Sequence, residues 1–333
     1  MATAKEIAGN VRDRLTFAGA SLRLPGREAL AGKRGRSILA IIVGFLLLYY
    51  PLGAAFKHTI DDNPTFKPDT NYLAGQSRAV AMAAALIDRE VNQHGWVRND
   101  PFFIPAVVLD NMPNYQQGII SALGRFAFEL TDQVGRQRGS SQADEDLQSA
   151  SGLLQYAGDV WHWDPTVSLA PTATSEAQYK KARRALLSYN ERLAQGSAVF
   201  DRRSDNFLAT LDRIALDLGS SSAVIDKHLE GGGVLIDTEA DDLFYSVKGQ
   251  LYAYYMIMKA LGQDFSQVIS EKGLEGPWTQ MLDSLEEAAM LQPFVVVNGN
   301  PDGQFLPSHL AAQGFYLLRA RTQLREITNI LLK

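Results

Sequence analysis

The order of apolar and polar residues divides this chain into three zones. From Ser37 to Phe56 the sequence SILAIIVGFLLLYYPLGAAF carries no charged side chain. About twenty such residues, coiled as a helix, cover the roughly 30 Å of a hydrocarbon core. Ahead of this run lies a polar, glycine-containing arm. Behind it, apolar residues recur at helical spacing almost to the C-terminus.

Ser77 to Gln93 sets Val80, Ala83, Ile87 and Val91 on one stripe. Residues 97–113 read as a loop broken by Pro101, Pro105 and Pro113. Asn114 is a plausible N-cap for a helix from Tyr115 to Arg138, and Ser141 for one ending at Tyr156. Helices are predicted from Ser175 to Leu193, from Ser197 to Leu218 with a continuation past Gly219, from Asp241 to Leu261, and from Trp278 to Leu291. Phe294 to Val297 is a short strand-like run. In the last helix, from Ser308, residues Leu310, Leu317, Leu324 and Leu331 stand seven apart, a spacing that suits burial in a bundle or a partner helix.

The predicted fold is therefore all-α: one N-terminal transmembrane helix, then a helical bundle of roughly eight helices. The expected organisation is a basic cytoplasmic tail at 1–36, a transmembrane anchor at 37–56, a juxtamembrane linker at 57–70 and an extracytoplasmic helical domain at 71–333.

Charge sharpens the membrane assignment. Residues 1–36 hold eight Lys and Arg against three acids, a net of +5, while the remainder holds 24 against 34, a net of −10. Basic residues before a spanning helix keep that side in the cytoplasm. The acidic domain is then expected outside, in the periplasm of a Gram-negative cell, on a single-pass inner-membrane anchor. Gly53-Ala54-Ala55 could pass for a signal-peptidase site, but the long leader before the apolar run argues for an uncleaved anchor. The lipid bilayer is one expected partner, through residues 37–56; another envelope protein, or a second copy, is the other. An acidic body argues against nucleic acid, which needs a basic face. With no cysteine in the chain, disulfides and thiolate chemistry are excluded.

Candidate chemistry is sparse. Trp161-His162-Trp163-Asp164 holds half of the four tryptophans. Exposed Trp beside Asp is a sugar-stacking pattern, and Asp164 with a second acid such as Asp110 could cleave a glycoside. Alternatively, Trp161 and Trp163 plug the bundle core. Asn298, Asn300 and Asp302, with Gly303 following, match the start of a calcium loop, but His309 stands where the bidentate Glu should be. A tight Asn-Gly and Asp-Gly turn explains the same residues. The acids from Asp237 to Asp242 precede a helix whose dipole they would offset. No nucleophile elbow, phosphate loop or dinucleotide fingerprint is present, so no cofactor is expected. The leading expectation is a non-enzymatic envelope protein presenting a helical domain. The alternative is a periplasmic glycan-binding or cell-wall-acting enzyme built on the 157–174 and 293–307 loops.

Five stretches carry a family resemblance: Asp110-Asn-Met-Pro-Asn-Tyr115, Arg138-Gly-Ser-Ser-Gln142, Tyr156-Ala-Gly-Asp-Val160, Asp217-Leu-Gly-Ser-Ser221 and Asn298-Gly-Asn-Pro-Asp302. They resemble the bacterial envelope family catalogued as domain of unknown function 2333. The resemblance runs from the anchor to the C-terminus and implies a membrane-anchored bacterial protein. It brings no catalytic residues with it.

Overall fold

The apolar run forms helix α1, Lys33–Lys57, about 37 Å long, with Pro51 near its C-terminal end. The side chains of Ile38, Ile41, Phe45, Leu47 and Leu48 are all exposed. The computed structural model describes residues 33–57, 59–68, 72–137, 143–163, 170–231, 237–300 and 306–333. Two units divide the chain, Met1–Leu52 and Gly53–Lys333. Among the described residues there are ten helices and no strand.

In the second unit, α2 (Arg78–Asp88) runs on into a π-helical turn, Arg89–Gln93. The chain continues through α3 (Asn111–Gln137), α4 (Glu145–Leu154), α5 (Ser175–Ala194) and α6 (Ser204–Glu230). It closes with α7 (Thr238–Asp264), a short α8 (Ser266–Glu271), α9 (Glu275–Ala289) and α10 (His309–Leu331). Side-chain oxygens cap several of these. Ser77, Asp144, Thr174, Asp237 and Ser308 accept from backbone amides of the first turns of α2, α4, α5, α7 and α10, each contributing about 1 kcal/mol.

Helix α7 is the centre of the bundle. Leu251 to Met258 are all buried, as expected of a helix that is apolar on every side because other helices surround it. It packs against α2, α3 and α9. Its contact with α3 is backbone to backbone: a Cβ on Gly118 would overlap the carbonyl oxygen of Ser246, and one on Gly249 would overlap that of Tyr115. The leucine seam of α10 is spent inside this bundle, because Leu310, Leu317, Ala320, Leu324, Ile327 and Leu331 are all buried where α10 meets α6 and α9. Its other face leaves Phe315 and Leu318 exposed.

Several elements depart from the sequence pattern. Helix α3 begins at Asn111, not at Tyr115, with Pro113 in its first turn, where an absent N–H leaves no hydrogen bond unmade. Asp144, not Ser141, caps α4. Helix α6 starts at Ser204, so Phe200 packs on the core from the preceding loop. Gly219 lies within α6 without a break, beneath the guanidinium of Arg321. Phe294–Val297 is not a strand: the only pairing there among the described residues is the single bridge of Asn298 with Ser308.

Candidate functional site

The connector that follows α1 is built into the helical domain by buried cations. Lys248 of α7, 1% exposed, places Nζ 2.6 Å from Asp62 Oδ2 and donates to the carbonyls of Ala289 and Leu291 at 2.6 and 2.7 Å. Burial lowers its pKa, and the Asp62 carboxylate opposes that loss. The amide nitrogen of Gln292 donates to both oxygens of the same carboxylate, at 2.8 and 2.9 Å. Lys259 donates to the carbonyl of Pro64 at 3.0 Å.

Arg89 stands beside this clamp. Its Nε lies 2.7 Å from Glu90 Oε1 and its Nη1 2.7 Å from the Tyr252 hydroxyl, with Asp61 at 3.7 Å. The guanidinium sits over the rings of Phe66 and Tyr252, at 4.9 and 4.7 Å. Burial disfavours its charge, but Glu90, Tyr115, Tyr252 and Asp61 together more than offset this and raise its pKa. Tyr115 and Tyr252 in turn donate to the carbonyls of Asp61 and Asn63, at 2.9 and 2.8 Å. Arg89 and Glu90 open the π-helical turn, and both are buried.

The second feature is an aromatic surface beside the same end of the chain. Gly53, in the last turns of α1, meets the ring of Pro105 so closely that a Cβ there would overlap it. Pro105 belongs to the uncharged run Pro101–Leu109. Within that run Phe102 is 78% exposed and Phe103 50%, and Val107 and Leu109 are also exposed. Phe103 is edge-on to Trp161, with ring centroids 6.1 Å apart, and Trp163 is 51% exposed. The backbone beneath is firmly held. Asn99 donates to the carbonyl of Val160 at 2.7 Å, Ser175 Oγ accepts from Val160 N at 3.1 Å, and Thr172 Oγ1 donates to the carbonyl of Trp161 at 2.6 Å.

Trp161 is half-buried, whereas the tryptophans that fill the core are Trp96 and Trp278. Trp96 donates to the carbonyl of Gly158 at 2.7 Å and meets Tyr179 edge-on. Asp164 lies outside the described residues. Asp110 is exposed and groups with acids of α7 instead of with these aromatics. Asn111, its amide nitrogen turned to the acids, reaches Asp110 Oδ1 at 3.2 Å and Asp241 Oδ2 at 2.7 Å. Burial, with Asp110 and Asp242 adding to it, pushes the Asp241 carboxyl up to about 6. That group therefore takes up a proton close to neutral pH.

Of the calcium-like residues, Asp302 lies outside the described residues. Asn298 is buried and donates to Asp237 Oδ2 at 3.0 Å, which His228 Nε2 also reaches at 2.8 Å. Asn300 is exposed. Among the described residues no group of three or more His, Cys, Asp or Glu is placed to hold a metal ion.

A pocket of about 530 Å³ opens between α3, the end of α4 and α6, with Gln117, Ser121, Arg125, Gln155 and Arg213 in its lining. Its principal charge is already answered. Arg125 Nε lies 3.0 Å from Asp217 Oδ1, and Asp217 Oδ2 accepts from Tyr254 and Gln250 at 2.5 and 2.7 Å.

Sequence spacing did not point to Arg89, Glu90 or Lys248, which read as ordinary helix residues. Phe102 and Phe103 carried one signal, an aromatic pair inside an uncharged run between prolines.

A family model described as uncharacterized protein conserved in bacteria (DUF2333) matches residues 41–232 and 236–333. No curated protein and no solved structure matches the chain.

Proposed function

We propose that this chain, which belongs to the uncharacterised bacterial family DUF2333, is an uncleaved single-pass protein of the inner membrane. Its N-terminal arm is cytoplasmic and its helical domain periplasmic. The role is non-enzymatic: the domain is presented for contact with another envelope protein or with a second copy. The observation that carries this reading is the pairing of α1, apolar on all sides and uncovered, with a connector locked into the helical domain by Lys248, Lys259 and Arg89. An expendable leader has no need of such a clamp on the residues that follow it. A glycan-binding or cell-wall-acting role for the 157–174 and 293–307 loops draws support from the exposure of Trp163.

With the α10 leucine seam buried, the protein-facing surface is assigned to the opposite side of α10, where Phe315 is 61% exposed and Leu318 is exposed beside it. A photo-crosslinking residue at Phe315, irradiated in native membranes, is expected to give a discrete adduct of reproducible mass. Leu318→Glu should weaken that adduct. Recovery of monomer alone would count against the interaction role while leaving the anchor intact.

A further inference from the structure

We propose that the pocket between α3, the end of α4 and α6 is a binding site for a small organic anion, whose carboxylate or phosphate group is held by the guanidinium groups of Arg125 and Arg213. The inference goes beyond the interaction role proposed above and does not depend on it. Three observations lead to it.

First, the sequence of α3 builds a polar wall on a helix whose other side is core. Ile119, Leu123, Phe126 and Leu130 are buried. Gln117, Ser121, Arg125 and Phe128 follow one another at steps of four, four and three, a spacing that stacks them along one side of a helix, and all four line the pocket. Gly124, between them, lets the end of α4 come close: a Cβ there would already lie 3.3 Å from the Cβ of Leu154. The pocket of about 530 Å³ is of the size that holds small organic molecules. Phe128, Leu154 and Ala157 give the ligand body an apolar surface to rest on.

Second, the described lining carries two cations and no acid, in a domain that is strongly acidic as a whole. The C-terminal end of α4 reaches the pocket with only a partial negative charge, and the carbonyls of Gly152 and Leu153 there are taken by the N–H groups of Gln155 and Tyr156.

Third, the two guanidinium groups are placed but not spent. Asp217, buried and held by Tyr254 and Gln250, meets Arg125 at Nε. That side chain is still 56% exposed, and among the described residues nothing accepts a hydrogen bond from its Nη atoms. Asp217 thus fixes the direction of Arg125 and leaves the outer edge of the guanidinium for a ligand. Arg213 lies 5.9 Å over the ring of Phe128 and has no ion pair among the described residues. A guanidinium meets a carboxylate or phosphate with two parallel hydrogen bonds, and two such groups lining one pocket suit an oxyanion better than any neutral group.

The test is a titration of the full-length protein in non-ionic detergent, at constant ionic strength, by calorimetry. Citrate and glucose 6-phosphate are the probes, and glucose is the uncharged control. Saturable binding of at least one of the two anions, without binding of glucose, is expected, and the tighter of the two identifies the oxyanion. Arg213→Gln should weaken that binding about tenfold or more. Ser121→Trp, which fills the pocket and keeps both guanidinium groups, should also abolish it. Arg325→Gln, on α10 and outside the lining, should leave it unchanged. No saturable binding of either anion below about 10 mM would overturn the proposal. So would wild-type affinity in both Arg213→Gln and Ser121→Trp, or equal losses in Arg213→Gln and Arg325→Gln.

Discussion

Gly249→Ala is expected to destabilise the helical domain by about 3 kcal/mol, the upper end of the range for overpacking a core. In a domain of this size that lowers Tm by roughly 6–12 °C. The new methyl group would meet the carbonyl oxygen of Tyr115, and at the reciprocal position Gly118→Ala would meet that of Ser246. Both obstacles are helix backbone, which cannot rotate aside as a side chain can, so α3 and α7 must separate along the length of the central contact. Gly135→Ala supplies the contrast. It is the same change in α3, where nothing lies within 4 Å, and it should stabilise by about 0.5–1 kcal/mol through helix propensity and a less flexible unfolded chain. Thermal melts followed by circular dichroism decide the matter. Similar behaviour of the two alanines would show that α3 and α7 do not approach this closely.

Arg89→Met should cost about 3–5 kcal/mol, because it strands a buried carboxylate. Glu90 is fully buried, and Arg89 is its nearest cation at 2.7 Å. The substitution keeps the aliphatic stem and removes the hydrogen bond to Tyr252 and the packing between the Phe66 and Tyr252 rings. Adding Glu90→Gln should recover most of the loss, since the stranded charge is the larger part of the penalty. The connector gives a second readout: amides of residues 61–66 should exchange faster in Arg89→Met than in wild type. If the double variant is no more stable than the single, the ion pair is not what Arg89 contributes.

Much of this architecture could be read before any coordinates. The apolar run appears as one long helix, and the stripe through Phe207, Leu211, Ile214 and Leu218 is the buried face of α6. The helices expected to begin at Ser77 and Ser308 do begin there, with those two residues as their N-caps. These features are local, encoded within one or two turns. The errors fell where a local rule met a distant partner. Pro113 reads as a breaker until its place in a first turn is known. Nothing in the sequence sets Gly118 and Gly249 apart from other helical glycines, and only the facing backbone explains why no side chain is tolerated there. Asp61 and Asp62 could be seen as the acidic start of the outer zone, but their role is to answer Arg89 and Lys248, the latter 186 positions away. The bundle brings Asp110 to Asp241 and Asp242 and leaves the tryptophan segment a different set of neighbours, a sorting that spacing alone does not contain.

The account turns on which side of the membrane each part of the chain occupies, and the lack of native cysteine makes that directly measurable. Full-length protein carrying either Ala4→Cys or Ser197→Cys is expressed in a Gram-negative host, and cells with a permeabilised outer membrane are treated with a membrane-impermeant maleimide. Ser197→Cys should be labelled in intact cells and Ala4→Cys only after lysis, on a product that keeps its full length and stays with the membrane after carbonate washing. Labelling of Ala4→Cys before lysis, or protection of Ser197→Cys until lysis, would contradict the proposed orientation, and a product lacking the first 50 or so residues would contradict the anchor itself.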